Sequence, residues 1–424
     1  MPLSTARTDP RQSLIIRANR VRGDNSPVIQ HVAAEAGGIR GWSRAGTPLA
    51  LFVTLGLPAG AVGVAWPHMR ASLDAPLAGL GFVLAAWTVA YFVASASSGP
   101  LADRLGGAAL LVAGCALAAV GLIALSLAFW WWTVPAVSLL VGGGSGLIDA
   151  SVNTHVSLNR GVRYMGLLHA SWAVGAAVGP QAIVVSVAVT GSWRAAFAAM
   201  GAAFLISALV VASRRHEWVG RRVESSPKRS DADATPRTYR RMMVLIAGLF
   251  LLGAGLEATA GDWSYTQLTL SRSVSANLGS WGATLFWAGL AGGRIALGIF
   301  GHRVTPDRLL DAGIGLSVFA SLAFWLGPPL VSAFVALPLL GFAVSVIFPL
   351  LLSLMPARVG PAMTAHAVGF GLAAGTTGAG GLPAATGIVL QSAGLLTLGP
   401  IMTGMAVLLL LLHLASRVAS SRSG

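Results

Sequence analysis

The chain has 424 residues, of which 55% are hydrophobic and only 10% charged, with a mean hydropathy of +0.74. That apolar fraction exceeds what a water-soluble domain buries, so an ordinary soluble enzyme is excluded and the main solvent is lipid. A net charge of +14 would suit a nucleic-acid binder in a soluble chain, but the basic residues are placed differently here.

Residues 1–46 are polar and Arg-rich, without the apolar run and small-residue cleavage site of a signal peptide. They read as a disordered cytoplasmic tail. Twelve apolar segments follow, at about 47–66, 78–98, 107–127, 133–156, 165–189, 195–212, 242–263, 278–299, 308–326, 330–354, 363–391 and 395–415. The expected arrangement is a six-helix bundle over 47–212, a linker over 213–241, a second bundle over 242–415 and a short cytoplasmic tail over 416–424. With the N-terminus inside, 25 of the 28 Lys and Arg residues fall in the seven cytoplasmic stretches. That bias predicts both termini in the cytoplasm and anchoring against an anionic inner leaflet, with no nucleic acid as partner.

Between the second and third segments lies Gly99-Pro100-Leu101-Ala102-Asp103-Arg104-Leu105-Gly106. Gly99 and Gly106 would permit a tight turn at the membrane surface, with Asp103 as an acceptor beside it. The fourth segment carries the stretch around which the chain is organised. In a helix, Gly142, Gly146, Asp149 and Asn153 share one stripe that begins with bare backbone and ends with a carboxyl and a carboxamide. An acid in hydrocarbon is costly and is retained only beside a partner or a cavity. The fifth segment contributes His169 and Trp172, and the seventh contributes Glu257, Asp262 and Trp263. Glu257 lies between Gly253 and Gly261 at four-residue spacing, on a second close-packing stripe. It reads equally well as a structural hydrogen bond between the halves or as a proton carrier. Asp262, at the expected outer edge, reads as a solvated acid.

The halves repeat. A shift of 199 residues lays Gly99, Asp103 and Arg104 over Gly298, His302 and Arg303, and Leu140-Val141-Gly142 over Leu339-Leu340-Gly341. Duplicated helical halves around a central site are a transporter plan. Cys115 is the single cysteine, and no H-E-x-x-H, C-x-x-C or G-x-x-x-x-G-K-S/T string occurs. No metal, cofactor or direct ATP coupling is therefore expected.

The 99–106 stretch resembles the cytoplasmic signature of the major facilitator superfamily, G-x-x-x-D-R-x-G, with Gly107 where that family usually carries Arg or Lys. The resemblance implies an all-α integral membrane fold of twelve helices in two pseudo-symmetric six-helix bundles. It also implies that Gly99, Asp103, Arg104 and Gly106 form a conformational-switch loop. Within the superfamily, Gly146 to Asn153 is similar to helix four of fucose:proton symporters, in which the acid takes a proton and the Asn faces sugar. The run Gly253 to Trp263 is similar to that branch's G-x-E-x-x-x-G-x-W, Leu168 to Gly175 to its helix five, and Gly341 to Pro349 to its helix ten. The branch's helix-one acid has no counterpart between Trp42 and Arg70, and Thr154 stands where Pro is common.

Two rival readings start from other strings. Gly175, Gly179 and Pro180 resemble the G-x-x-x-G-P core of drug exporters, without that motif's closing glycines. Gly143-Gly144-Ser145-Gly146 matches the nucleophile string of rhomboid intramembrane proteases, which pair Ser with a His on another helix. The preferred expectation is proton-coupled uptake of a small polar solute, such as a sugar, across the cell membrane. Asp149 and Glu257 would couple to protons, and Asn153, His169, Trp172 and Trp263 would bind the solute. The expected partners are the solute, protons and membrane lipid, with no obligate protein partner.

Overall fold

A computed structural model describes residues 39–160, 162–218, 237–360 and 363–421. Residues Pro48–Gly424 form one compact unit, preceded by a second unit, Met1–Thr47. Most of the N-terminal tail, and most of the 213–241 linker, lies outside the described residues.

Twelve helices span the described chain: α1 Ile39–Leu73, α2 Gly79–Leu105, α3 Gly107–Ser126, α4 Thr133–Asn159, α5 Val162–Thr190, α6 Arg194–Ser213, α7 Arg237–Leu270, α8 Ala276–Phe300, α9 Pro306–Leu326, α10 Pro329–Val359, α11 Thr364–Ala393 and α12 Leu398–Ser421. In hydrocarbon no water satisfies backbone N–H and C=O groups, so a continuous helix, which closes its own hydrogen bonds, is the stable form for these segments. Ser and Thr hydroxyls follow the same rule by donating one turn back, as Thr54 does to the Ala50 carbonyl and Ser138 to that of Val134. Eleven of these helices are both long and apolar enough to cross a membrane. The remaining one, α11, is 30 residues long but rich in glycine and threonine, which lowers its hydropathy.

α10 is irregular. A π-helical turn occupies Ser332–Ala336, and the helix restarts at Ile347. Each irregularity precedes a proline by a few residues, Pro338 and Pro349, whose missing N–H and bulky ring break the one-turn-back ladder.

The first half packs α4 between α2 and α3, and α6 on α3. The second half packs α10 between α8 and α9, with α7 between α11 and α12. The duplication is visible in atomic register. A Cβ on Gly142 would lie 2.1 Å from the Trp87 carbonyl oxygen, and one on Gly341 would lie 2.0 Å from that of Phe286. Trp87 and Phe286, like Gly142 and Gly341, are 199 residues apart. In both halves the glycine is needed because two helix backbones touch there.

Among the described residues the halves meet through three seams. α5 faces α8, where the Gln181 amide donates to Ser280 Oγ at 3.3 Å and Thr284 Oγ1 at 3.1 Å. α2 faces α11, where the Ala78 N–H donates to Gln391 Oε1 at 2.8 Å and a Cβ on Gly380 would meet Thr88. α1 faces α7, with Gly63 against the Asp262 backbone. These contacts lie in the part of each helix away from the chain termini, so the halves close against each other on that side.

Candidate functional site

The stripe on α4 faces α2. Gly142 meets Trp87 and a Cβ on Gly146 would lie 2.4 Å from the Tyr91 carbonyl oxygen. With the helices in near backbone contact, the next position along the stripe comes within reach of a side chain. The Tyr91 hydroxyl donates to Asp149 Oδ2 at 2.7 Å. No cation lies within ion-pairing distance of Asp149 among the described residues. Asn153 donates from Nδ2 to the Asp149 backbone carbonyl at 3.0 Å, which leaves its Oδ1 for another donor. Tyr91 was not selected from the sequence, because a tyrosine in an apolar run carries no signal until its neighbour is known.

Glu257 has a different setting. Its Oε1 lies 3.5 Å from Arg294 Nη2, joining α7 to α8, and the two side chains keep 18% and 17% of their surface exposed. The Arg294 guanidinium also lies 6.0 Å from the centroid of the Trp172 ring, on α5 of the other half. Trp172 meets Trp287 edge-on at 5.5 Å. Arg294 was not selected from the sequence. It sits inside α8, six residues before Phe300.

Of the remaining residues, His169 lies within electrostatic reach of Arg294. His169 packs edge-on against Phe52 of α1 at 5.8 Å. Trp263 is 0% exposed, and its indole N–H donates to the Pro383 carbonyl at 2.9 Å. Its ring is wedged against Gly387, so in this conformation it packs α7 on α11 and faces no open space. Asp262 is 7% exposed, buried against α1, which corrects the expectation of a solvated acid.

The 99–106 stretch is helical up to Leu105, so the expected turn at Gly99 is absent. Gly106 alone reverses the chain, with φ of 85°. Asp103 and Arg104 are exposed at the end of α2. Beside them, Trp218 is buried, its carbonyl 3.2 Å from where a Gly107 Cβ would stand and its ring 4.6 Å from that of His155.

Both rival strings are absorbed by packing. Gly175 and Gly179 lie against the α1 carbonyls of Val53 and Leu57, and Gly56 and Gly60 of α1 lie against Trp172 and Ala176 in return. Ser145 Oγ is buried with no hydrogen-bond partner among the described residues, so the Ser–His pair of an intramembrane protease is not formed. A cavity of about 500 Å³ lined by His68, Ser72, Ser192, Trp193 and Arg194 opens at the side opposite the termini, remote from Asp149 and Glu257. No cluster of metal-ligating side chains occurs among the described residues.

A comparison with curated proteins finds no match. Among solved structures, a bacterial homologue of the human lysosomal transporter Spinster, inward-facing and occupied, aligns at a TM-score of 0.64 with 17% identity, over 89% of this chain and 96% of its own. The same protein inward-facing and unoccupied aligns at 0.67 with 16% identity, over 89% and 96% of the two chains. A mutant of the nucleoside transporter NupG aligns at 0.68 with 16% identity, over 88% and 99%. At such identities these likenesses speak for the fold. The Major Facilitator Superfamily profile matches residues 49–385. With that match over most of a twelve-helix, internally duplicated membrane chain, the protein belongs to the Major Facilitator Superfamily of transporters.

Proposed function

We propose that the protein is a proton-coupled symporter that takes up a small polar solute, such as a sugar, by alternating access, with Asp149 as the proton carrier. One observation carries the reading: within α4, Asp149 has the neutral Tyr91 hydroxyl and Asn153 carboxamide as its side-chain partners, and no cation lies within ion-pairing distance among the described residues. A carboxylate held by a cation stays charged, whereas one held by Tyr91 can gain and lose a proton without breaking an ion pair. Asn153 and Trp172 supply the amide and the flat apolar face that a hydroxylated solute requires. The likeness of the fourth helix to fucose:proton symporters supports the sugar assignment.

The two halves, 47–212 and 242–415, rock about the site with the 213–241 segment between them. The charge bias supports an orientation with both termini in the cytoplasm, as in a cell-membrane protein. The state described is then closed outside, and Asp103 and Arg104 act at the cytoplasmic switch. Asp149→Asn tests the reading in proteoliposomes. Accumulation driven by a proton gradient should be lost while solute counterflow continues. Accumulation at the wild-type level would refute it.

A further inference from the structure

The Glu257–Arg294 pair is more than the neutral-solute reading requires. We infer that the solute carries a carboxylate, and that Arg294 is the residue that receives it. The inference rests on the proposed transport function and names the solute class for it.

An arginine in hydrocarbon is expensive and is kept there for a partner. The partner present is held loosely. A guanidinium and a carboxylate at their best meet by two parallel hydrogen bonds of about 2.8 Å, whereas Arg294 and Glu257 share one approach of 3.5 Å. None of the Arg294 nitrogens is buried without a partner, so its remaining donors are reachable. The pair is also unnecessary as a clamp between α7 and α8. Those helices already interlock where Gly261 receives the Trp287 ring and Gly279 receives Tyr265 and Thr269.

Placement argues the same way. Arg294 belongs to the second half, yet its guanidinium lies over Trp172 of the first, at the seam where the halves meet. A carboxylate bound there would be held by one half and flanked by an aromatic ring of the other. It would compete with Glu257 for the fork. Binding would free Glu257 to take a proton, so the loaded site returns to the same net charge. Among the described residues, the charged and titratable side chains facing this point are Arg294 and Glu257 from the second half and His169 from the first. The hydroxyl-binding groups near Asp149 then favour a polar acid, such as a sugar acid, over an aliphatic one.

The test uses purified full-length protein in liposomes, with glucuronate, gluconate and lactate as acidic probes and glucose and glycerol as their neutral counterparts. Binding is read as a shift in melting temperature and transport as uptake under an inward proton gradient. At least one acidic probe should bind and enter, with the neutral counterparts at least tenfold weaker. Arg294→Lys should raise KM for that acid at least tenfold, because an ammonium cannot form the fork. Glu257→Gln should lower that KM by removing the competitor, an effect a purely structural pair would not give. Should Glu257 be needed for folding, the double variant Arg294→Gln/Glu257→Gln removes both charges together and should lose acid binding while still melting cooperatively. The inference is overturned if no acidic probe binds, or if Arg294→Lys leaves KM unchanged. Glucose accumulation that depends on protons would overturn it while leaving the proposed symport standing. Acid uptake indifferent to the proton gradient would do the reverse.

Discussion

Gly63 and Asp262 touch backbone to backbone: a Cβ on Gly63 would lie 2.5 Å from the Asp262 carbonyl oxygen. They are 199 residues apart, so each occupies the other's place in the duplicated sequence. Corresponding points of two repeated halves can meet only near the axis that relates them. The α1–α7 contact therefore marks the pseudo-symmetry axis on the side away from the termini.

Enlarging Gly63 should weaken closure on that side. In Gly63→Val the new side chain has only backbone to push against, so the halves must part. With Cys115 replaced by Ser and a single cysteine introduced at Thr284, maleimide should label the Gly63→Val protein several-fold faster than its Gly63 parent. Equal rates would show that the seam yields elsewhere.

The second seam allows a direct lock. A Cβ on Gly380 would lie 2.4 Å from the Thr88 Cβ, so a small relaxation reaches the separation of about 3.8 Å that a disulfide needs. Cysteines replacing both residues, in a Cys115→Ser background, should cross-link on oxidation and stop uptake. A reductant should restore it. Continued transport by the oxidised protein would mean that this seam does not open during the cycle.

Much of the architecture was legible because it depends on composition along the chain. The twelve spans, the repeat and the glycine stripe of α4 are all periodic or bulk properties of sequence. The stripe also turned out to face a helix at backbone distance, since small residues in lipid have little other use. The partners of the acids were not legible. Tyr91 meets Asp149, and Arg294 meets Glu257, only because neighbouring helices adopt a particular rotation and height. A periodicity within one helix does not contain that register. Arg294 was further disguised by lying near the end of α8, where a basic residue is ordinarily a loop anchor. Trp263 failed in the opposite sense. Its indole N–H and large apolar ring suit a solute, but they suit the Pro383 carbonyl and Gly387 equally well.

Tyr91 supports Asp149 without being able to replace it. Removing the hydroxyl in Tyr91→Phe deletes one hydrogen bond to a group that can be charged, an effect of about 1.5–3 kcal/mol. Proton-driven uptake should fall by roughly ten- to a hundredfold on that scale and counterflow should change less. Equal loss in both assays would indicate damage to solute binding.

The glycines of the two α4-type contacts differ measurably from those that face open space. Gly142→Leu and Gly341→Leu each force a side chain into a backbone carbonyl and should cost about 1–3 kcal/mol, or more where the helices cannot separate. Gly292→Ala and Gly404→Ala meet nothing within 4 Å and should melt like the wild type in detergent. If all four variants melted alike, the close approach of α4 to α2, and of α10 to α8, would be wrong.

Arg272, in the turn between α7 and α8, gives the sharpest stability prediction outside the transport site. Its Nη1 donates to the Phe324 carbonyl at 2.9 Å and to Ser332 Oγ at 2.8 Å, and its Nη2 donates to the Gly327 carbonyl. Those acceptors belong to the end of α9 and the π-helical start of α10, where the last carbonyls have no partner within their own helix. Ser332 Oγ passes the bond on to the same Phe324 carbonyl at 2.9 Å. Arg272→Ala removes all three donations at once and leaves these acceptors short of partners. The expected cost is about 2–4 kcal/mol, taking charge-assisted bonds as partly replaced by water. Arg272→Lys restores the charge but not the planar fork, so it should recover only part of the loss. Melting of the two variants in detergent should follow the order wild type, Lys, Ala. Hydrogen exchange should rise first in 324–336. A uniform rise over the second half would instead mean that Arg272 holds the bundle as a whole.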